Sequence, residues 1–427
     1  MDPYASKDTK ARNEWEERIG QRSSEKIPTS TKTDLPPPEG VLAESGAGQV
    51  TLHWQPVENA AGYLVHRSDS AGGPFKPIDH GGGDVLAIPE PPYADTTGEP
   101  GRHYWYAVAS IFDASFPPGE LSVAVEASSK GDAADPLTLS VQAQTPDTRL
   151  NLIWHMLGSE HLSQLFYHTG PGGSNIGEEF QEALRLARTE LGAEYIRAHA
   201  ILHDQQNVYR EINGEARYDF TAIDQIYDRL LHVGLRPIVE ISFMPRDLAK
   251  DPDAKVFTYG GIISPPRDWN RWKELNFNLA AHLVNRYGID EVSQWGFEIW
   301  NEPNLKVFWT GTQSEYFQLY DIAARAIKSV ASRLLVGGPS TAAAEWIAAF
   351  LNFVRQQDSP LDFISTHTYG NLPLNIQQTL KAFGFEEIKI WWTEWGVYPR
   401  HFAPVNDSAF GAPFILQGMN SLQGRAN

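Results

Sequence analysis

Two glutamates close runs that read as buried strands. Glu302 follows the apolar WGFEIW and stands in WGFEIWNEPNLKVFW, residues 295–309, and Glu394 ends IKIWWTE, residues 388–394. A single carboxylate in such a place most simply caps the helix that follows, where the positive end of the helix dipole favours it. Two together suit glycoside hydrolysis, in which one carboxyl group protonates the leaving oxygen while the other attacks the sugar or activates water. Other chemistries fit less well. His199 and His203 stand four apart, but on a strand end this spacing does not put both on one helix face, and no HExxH accompanies them, so no metal is expected. HGGG at 80–83 resembles an esterase oxyanion loop, yet no GxSxG elbow exists in the chain, and the stretch reads as a turn. With no cysteine, disulfides and thiolate chemistry are excluded, although the compartment is not fixed by this.

The elements that must carry these glutamates alternate. In GEEFQEALRLARTELG the apolar Phe180, Leu184, Ala187 and Leu191 recur at helical spacing, with Gly192 at the C-cap, and AEYIRAHA follows as a strand. The same order repeats. A helix from about Phe220 to Val233 leads to RPIVEIS, one from about Asp268 to Tyr287 to SQWGFEIW, and one after Thr312 to RLLVGG. Two more units lead to DFISTH and IKIWWTE; with RLNLIWH as the first, seven strands are expected between residues 149 and 394. Repeated βα units close into a TIM barrel or form an open doubly wound sheet. The open sheet wants a GxGxxG turn after its first strand, and GPGGSN at 170–175 has neither that spacing nor the lysine of a P-loop. In a barrel the strands deliver their last residues to one rim. Glu302 and Glu394, three units apart, then face one another across a shared cleft.

Composition bounds the rest. Lys and Arg number 35 against 53 Asp and Glu, a formal charge of −18 that repels nucleic acid and anionic lipid, so neither nucleic acid nor membrane is expected as a partner. The opening MDPYASKDTKARNEWEERIG has no apolar h-region, and no stretch approaches the length of a membrane span. A soluble chain is expected, cytoplasmic if this start is authentic. Residues 1–37 form a charged tail ending in TKTDLPPPEG, too polar to fold alone. Residues 38–130 change to short alternating runs (QVTLHW, GYLVHR, HYWYAVAS, LSVAVEAS) broken by Gly, Pro and Asp, an antiparallel sandwich. Within it YADTTGEPGRHYWYAVAS resembles a fibronectin type III domain, with Trp54 as core tryptophan and Tyr104 as corner tyrosine. The barrel domain is expected over 136–427.

Five motifs in order, YIRAHAILHD, VGLRPIVEISFMPRDLA, WGFEIWNEPNLKVFW, DFISTHTYG and WWTEWG, resemble glycoside hydrolase family 39, which contains retaining β-xylosidases and α-L-iduronidases on (β/α)8 barrels. The resemblance implies Glu302 as acid/base, Glu394 as nucleophile, Asn301 as a hydrogen-bond partner of the sugar 2-hydroxyl, His199 as a sugar contact, and no cofactor. The expected partner is a carbohydrate, oligomeric or polymeric. The physics of the residues agrees. Arg197, ending its strand, would hold Glu394 ionised, and the aromatics Phe308 and Trp309 would raise the Glu302 pKa by desolvation. His367 and Tyr369 share the rim at the end of the sixth strand. Tyr369 stands where the iduronidase branch carries a lysine, so a neutral pyranoside is expected, xylose first. Endo-acting cleavage, an iduronidase-like activity and a non-catalytic carbohydrate-binding or adhesion role are the alternatives. Only 33 residues (427 − 394) follow Glu394, too few for a last βα unit, so an incomplete barrel and a fragment of a longer protein are expected.

Overall fold

The structure, a computed structural model, describes residues 35–78, 87–131, 140, 152–168, 175–399, 404–406 and 408–422. The tail before residue 35, HGGG, and all but the last residue of GPGGSN lie outside these. The described residues fall into two compact units. One comprises Trp154–His367 and Glu387–Trp395; the other takes the residues before 154 together with Thr368–Glu386 and those from Gly396 onward.

The second unit begins with eight short strands: β1 (Leu42–Gly46), β2 (Gln49–His53), β3 (Gly62–Ser68), β4 (Lys76–Pro77), β5 (Ala87–Ile88), β6 (Tyr93–Asp95), β7 (Tyr104–Ile111) and β8 (Val125–Ala127). They pair antiparallel in two sheets, β1-β2-β6 and β4-β3-β7-β8, with β5 on β3. Period-two alternation makes this possible: in β2, Val50 and Leu52 turn inward while their neighbours stay half-exposed. Trp54 lies edge-on to Tyr63, ring centroids 5.3 Å apart, in a core with Val65, Tyr106 and Val108.

The first unit alternates helix and strand. Its elements are β9 (Met156–His161), α1 (Ile176–Glu190), β10 (Tyr195–His199), the hairpin β11 (Tyr209–Ile212) and β12 (Glu215–Tyr218), α2 (Thr221–Val233), β13 (Arg236–Ile241), and the hairpin β14 (Lys255–Val256) and β15 (Gly261–Ile262). Then come α3 (Trp269–Tyr287), α4 (Ile289–Val292), β16 (Gly296–Ile299), α5 (Gln313–Val330), β17 (Leu335–Thr341), α6 (Ile347–Gln357) and β18 (Phe363–Tyr369). After α7 (Gln377–Ala382), which belongs to the second unit, β19 (Lys389–Gly396) completes the sheet, and α8 (Gly411–Leu422) follows. Local chemistry sets several boundaries. Gly234, at φ 88°, ends α2 in the left-handed region with its N–H on the carbonyls of Leu230 and Leu231. Thr312 and Glu315 start α5 as a reciprocal capping box.

Seven strands form one sheet in the order β9-β10-β13-β16-β17-β18-β19, parallel from β9 to β18. The sheet is rolled. Arg197 on β10 is ion-paired to Glu394 on β19, although β13, β16, β17 and β18 lie between them in the sheet order. This is the curvature of an incomplete TIM barrel. The first strand departs from expectation: of RLNLIWH, residues 149–151 lie outside the described residues, and among the described ones pairing begins at Met156, opposite Tyr195. Leu152 is exposed, and the His155 carbonyl receives the N–H groups of both Glu194 and Tyr195, so the chain enters the ladder there.

The stretch between β18 and β19 is held within the second unit. Asn375 N–H donates to the Ala61 carbonyl at 2.8 Å, Thr379 Oγ1 to the Phe112 carbonyl at 2.9 Å, and Phe383 packs on Phe112 at 6.3 Å. Among the described residues no helix is long and apolar enough to cross a membrane.

Candidate active site

Strand ends of the first unit supply every charged group of the site. Arg197 and His199 come from β10, Glu240 from β13, Glu298 from β16 with Asn301 and Glu302 just beyond it, Ser340 from β17, His367 from β18, and Thr393 and Glu394 from β19. Trp300, Glu302 and Ser340 adopt positive φ of 75°, 41° and 54°, a conformation L-residues resist. The turn is secured by Glu302 N–H, which donates to the Ser340 carbonyl at 2.8 Å.

Arg197, 1% exposed, is the hub. Its Nε donates to Glu298 Oε2 at 2.8 Å, and its Nη2 to Asn301 Oδ1 at 2.8 Å and Ser340 Oγ at 3.2 Å. Nη2 is also paired with Glu240 Oε2 at 2.8 Å, while Nη1 donates to Glu394 Oε1. Burial opposes its charge, but Glu240, Glu298 and Glu394 outweigh that and raise the guanidinium pKa. Glu298 is likewise buried, which would raise its pKa, yet Arg197 and the hydroxyl of Thr393 hold it below the usual range.

His199 Nδ1 lies 2.8 Å from Glu240 Oε2. Burial alone would keep the ring neutral; Glu240 prevails and moves its pKa up to about 9. Phe257 stacks on it at 5.7 Å, with Phe243 and Phe308 next to it at 6.2 and 6.4 Å. Opposite, His367 Nδ1 is 3.0 Å from Glu302 Oε1 and 3.5 Å from Glu394 Oε1. Burial most of all raises the Glu302 pKa and the negative charge of Glu394 adds to it, together outweighing the His367 ring, which lowers it wherever it donates or carries charge. Asn301 gives its Oδ1 to Arg197, and its Nδ2 is buried without a hydrogen-bond partner, a donor left for an incoming hydroxyl. One ligand atom each from Glu302, His367 and Glu394 lies within 4.8 Å of the others, close enough to hold a cation as well as to trade protons.

Of the residues singled out in the sequence, Arg197, His199, Asn301, Glu302, His367 and Glu394 meet in this network, and Phe308 lines it. Trp309 does not join it: its indole N–H donates to the Thr312 carbonyl at 3.0 Å, and its ring packs on Trp300 and Tyr316. Tyr369 ends β18, two residues past His367, and is half-buried. Glu240, Glu298, Ser340 and Thr393 escaped the sequence reading. For the two glutamates a signal existed, a carboxylate inside the apolar runs RPIVEIS and WGFEIW, which must find a cation.

The chain is 41% identical over 263 residues to a β-xylosidase of Caldicellulosiruptor saccharolyticus, covering 57% of this chain and 54% of that protein. It is 44% identical over 208 residues to a β-xylosidase of Geobacillus stearothermophilus, covering 47% of this chain and 41% of that protein. The chain thus spans about half the length of the curated relatives it matches. Among solved structures, a GH39 β-xylosidase of Caulobacter crescentus superimposes with a TM-score of 0.59 at 36% identity, over 64% of this chain and 60% of that one. Residues 139–423, more than half of the chain, match Glycosyl hydrolases family 39, and with the two strand-end glutamates in one rim the chain belongs to that family.

Proposed function

We propose that the protein is a retaining glycoside hydrolase that cleaves a neutral glycoside, a β-xyloside first, through a covalent glycosyl-enzyme intermediate. The observation that carries this reading is the closeness of the two carboxylates, an oxygen of each lying within 4.8 Å of the other. Retention wants carboxyl groups about 5–5.5 Å apart, whereas inversion needs about 6.5–9.5 Å to admit a water. Glu394, ion-paired to Arg197, attacks the anomeric carbon as a carboxylate while Glu302 gives its proton to the departing oxygen. The new ester carries no charge, so part of what raised the Glu302 pKa disappears. Glu302 can then take a proton from the water that opens the ester. The orphan Nδ2 of Asn301 suits a sugar hydroxyl. Tyr369, in place of a lysine, and the β-xylosidase relatives favour a neutral sugar. The sandwich reads as a fibronectin type III-like module; the Tyr104 hydroxyl accepts the Glu99 N–H, five residues upstream, as a tyrosine corner does.

The test is kinetic. Glu394→Ala should lose turnover on every glycoside. Glu302→Ala should lose about 10²–10⁴-fold on a glycoside with a poor leaving group, yet release a burst of aryl alcohol from an activated aryl xyloside before a slow phase. The reverse pattern would exchange the two roles. Binding of xylo-oligosaccharide with no hydrolysis on long incubation would make the protein a carbohydrate-binding one.

A further inference from the structure

Behind Glu302 four side chains stand in line. Thr393 Oγ1 donates to Glu298 Oε1 at 2.7 Å and lies 3.1 Å from His367 Nε2; the same ring brings Nδ1 to 3.0 Å from Glu302 Oε1. Glu298, Thr393 and His367 are fully buried, and Glu302 nearly so. The far end sets the direction of the line. Glu298 is bound by Arg197 Nε at 2.8 Å, so it is an ionised carboxylate and can only accept. Thr393 has one hydroxyl proton, which goes to Glu298. Toward His367 it can offer only a lone pair, so the ring must place an N–H at Nε2. A neutral imidazole with its proton on Nε2 has a bare Nδ1.

We infer that Glu298, acting through Thr393, fixes His367 as the Nε2–H tautomer, so that Nδ1 meets Glu302 as an acceptor and favours its protonated form. Glu298 and Thr393 are then positioning residues, and the inference rests on the reading of Glu302 as the acid/base. Other groups face the ring. Ser340 Oγ is 3.4 Å from Nε2 and accepts from Arg197 Nη2; Glu394 Oε1 is 3.5 Å from Nδ1; and Arg197, on β10, is ion-paired to both Glu298 and Glu394. Ser340 is the more distant partner of Nε2, so Thr393 governs the tautomer.

Without the Thr393 hydroxyl, Nε2–H has lost its closest acceptor. The ring gains by moving the proton to Nδ1, where it donates to Glu302 and stabilises the carboxylate. In Thr393→Val the alkaline limb of kcat/KM on a poor-leaving-group xyloside should therefore move down by about one pH unit, the worth of one such hydrogen bond. Thr393→Ser should restore it, and adding Ser340→Ala to Thr393→Val should move it at least as far. Imidazole ¹⁵N shifts of histidine-labelled protein read the tautomer directly: His367 should be Nε2–H in the wild type and Nδ1–H in Thr393→Val. A wild-type ring protonated on Nδ1 overturns the inference, as does an unmoved limb in both valine variants. Glu302→Gln separates the two readings. If the alkaline limb survives in that variant, Glu302 is not the acid; if it vanishes there while staying in place in Thr393→Val, Glu302 stands and the relay falls.

Discussion

At the site two cations, Arg197 and His199, are set among Glu240, Glu298, Glu302 and Glu394. His199 makes the balance measurable. Its pKa rises from the ordinary value to about 9 in the fold, so its charged form is the stabilised one. That stabilisation is fully present below about pH 6.5 and is lost as pH rises through about 9, a loss on the order of 3 kcal/mol. The unfolding free energy of the wild type minus that of His199→Gln, from urea titrations between pH 6 and 10, should fall across this window. A difference independent of pH would show that the ring is not charged in the fold. The residues that dictate this were only partly legible. Glu302 and Glu394 announced themselves by ending apolar runs, whereas Glu298 sits inside one, and its partner Arg197 is 101 positions away. Pairing across that separation leaves no local pattern. Thr393 looked like one more β-branched strand residue.

Helices and strands were read more easily, because periodicity is local: α1, α2 and α3 begin and end within a residue or two of where apolar spacing, Gly and capping residues put them, and α5 begins directly after Thr312 as read. The hairpin of β11 and β12 was missed although Asn213 and Gly214, both at positive φ, are a turn signal. The first strand was misplaced because apolar alternation preceded the residues that actually pair. One helix is tied directly to the strand ends. From α5, Tyr316 Oη shares its one proton between the carbonyls of Pro339, at 2.8 Å, and Ile299, at 3.0 Å, a residue of β17 beside Ser340 and the last residue of β16. Tyr316→Phe leaves both buried carbonyls without that donor. A cost of about 1–3 kcal/mol is expected in urea denaturation. A drop in kcat larger than any change in KM should accompany it, since the backbone it holds carries Glu302. A fully stable variant with wild-type kcat would show that the strand ends hold their positions unaided.

At the scale of the molecule, the notable feature is that the second unit takes its residues from separate stretches of chain, one of which joins β18, bearing His367, to β19, bearing Glu394. Phe383 on that stretch, 6% exposed, packs on Phe112, just past β7. Phe383→Ala should cost about 3–5 kcal/mol, and because the stretch continues into β19, activity should fall with it; a loss of stability with wild-type kcat would show that the join tolerates slack. The same threading has a consequence for synthesis. Strands β1–β8 leave the ribosome before β18, but the bond from Thr379 to the Phe112 carbonyl spans 267 positions. At about 5–20 residues per second, that carbonyl waits roughly 15–50 s for its donor. Until then the exposed face of Phe112 is a place where a nascent chain can be caught by a chaperone or by a neighbour on the same message.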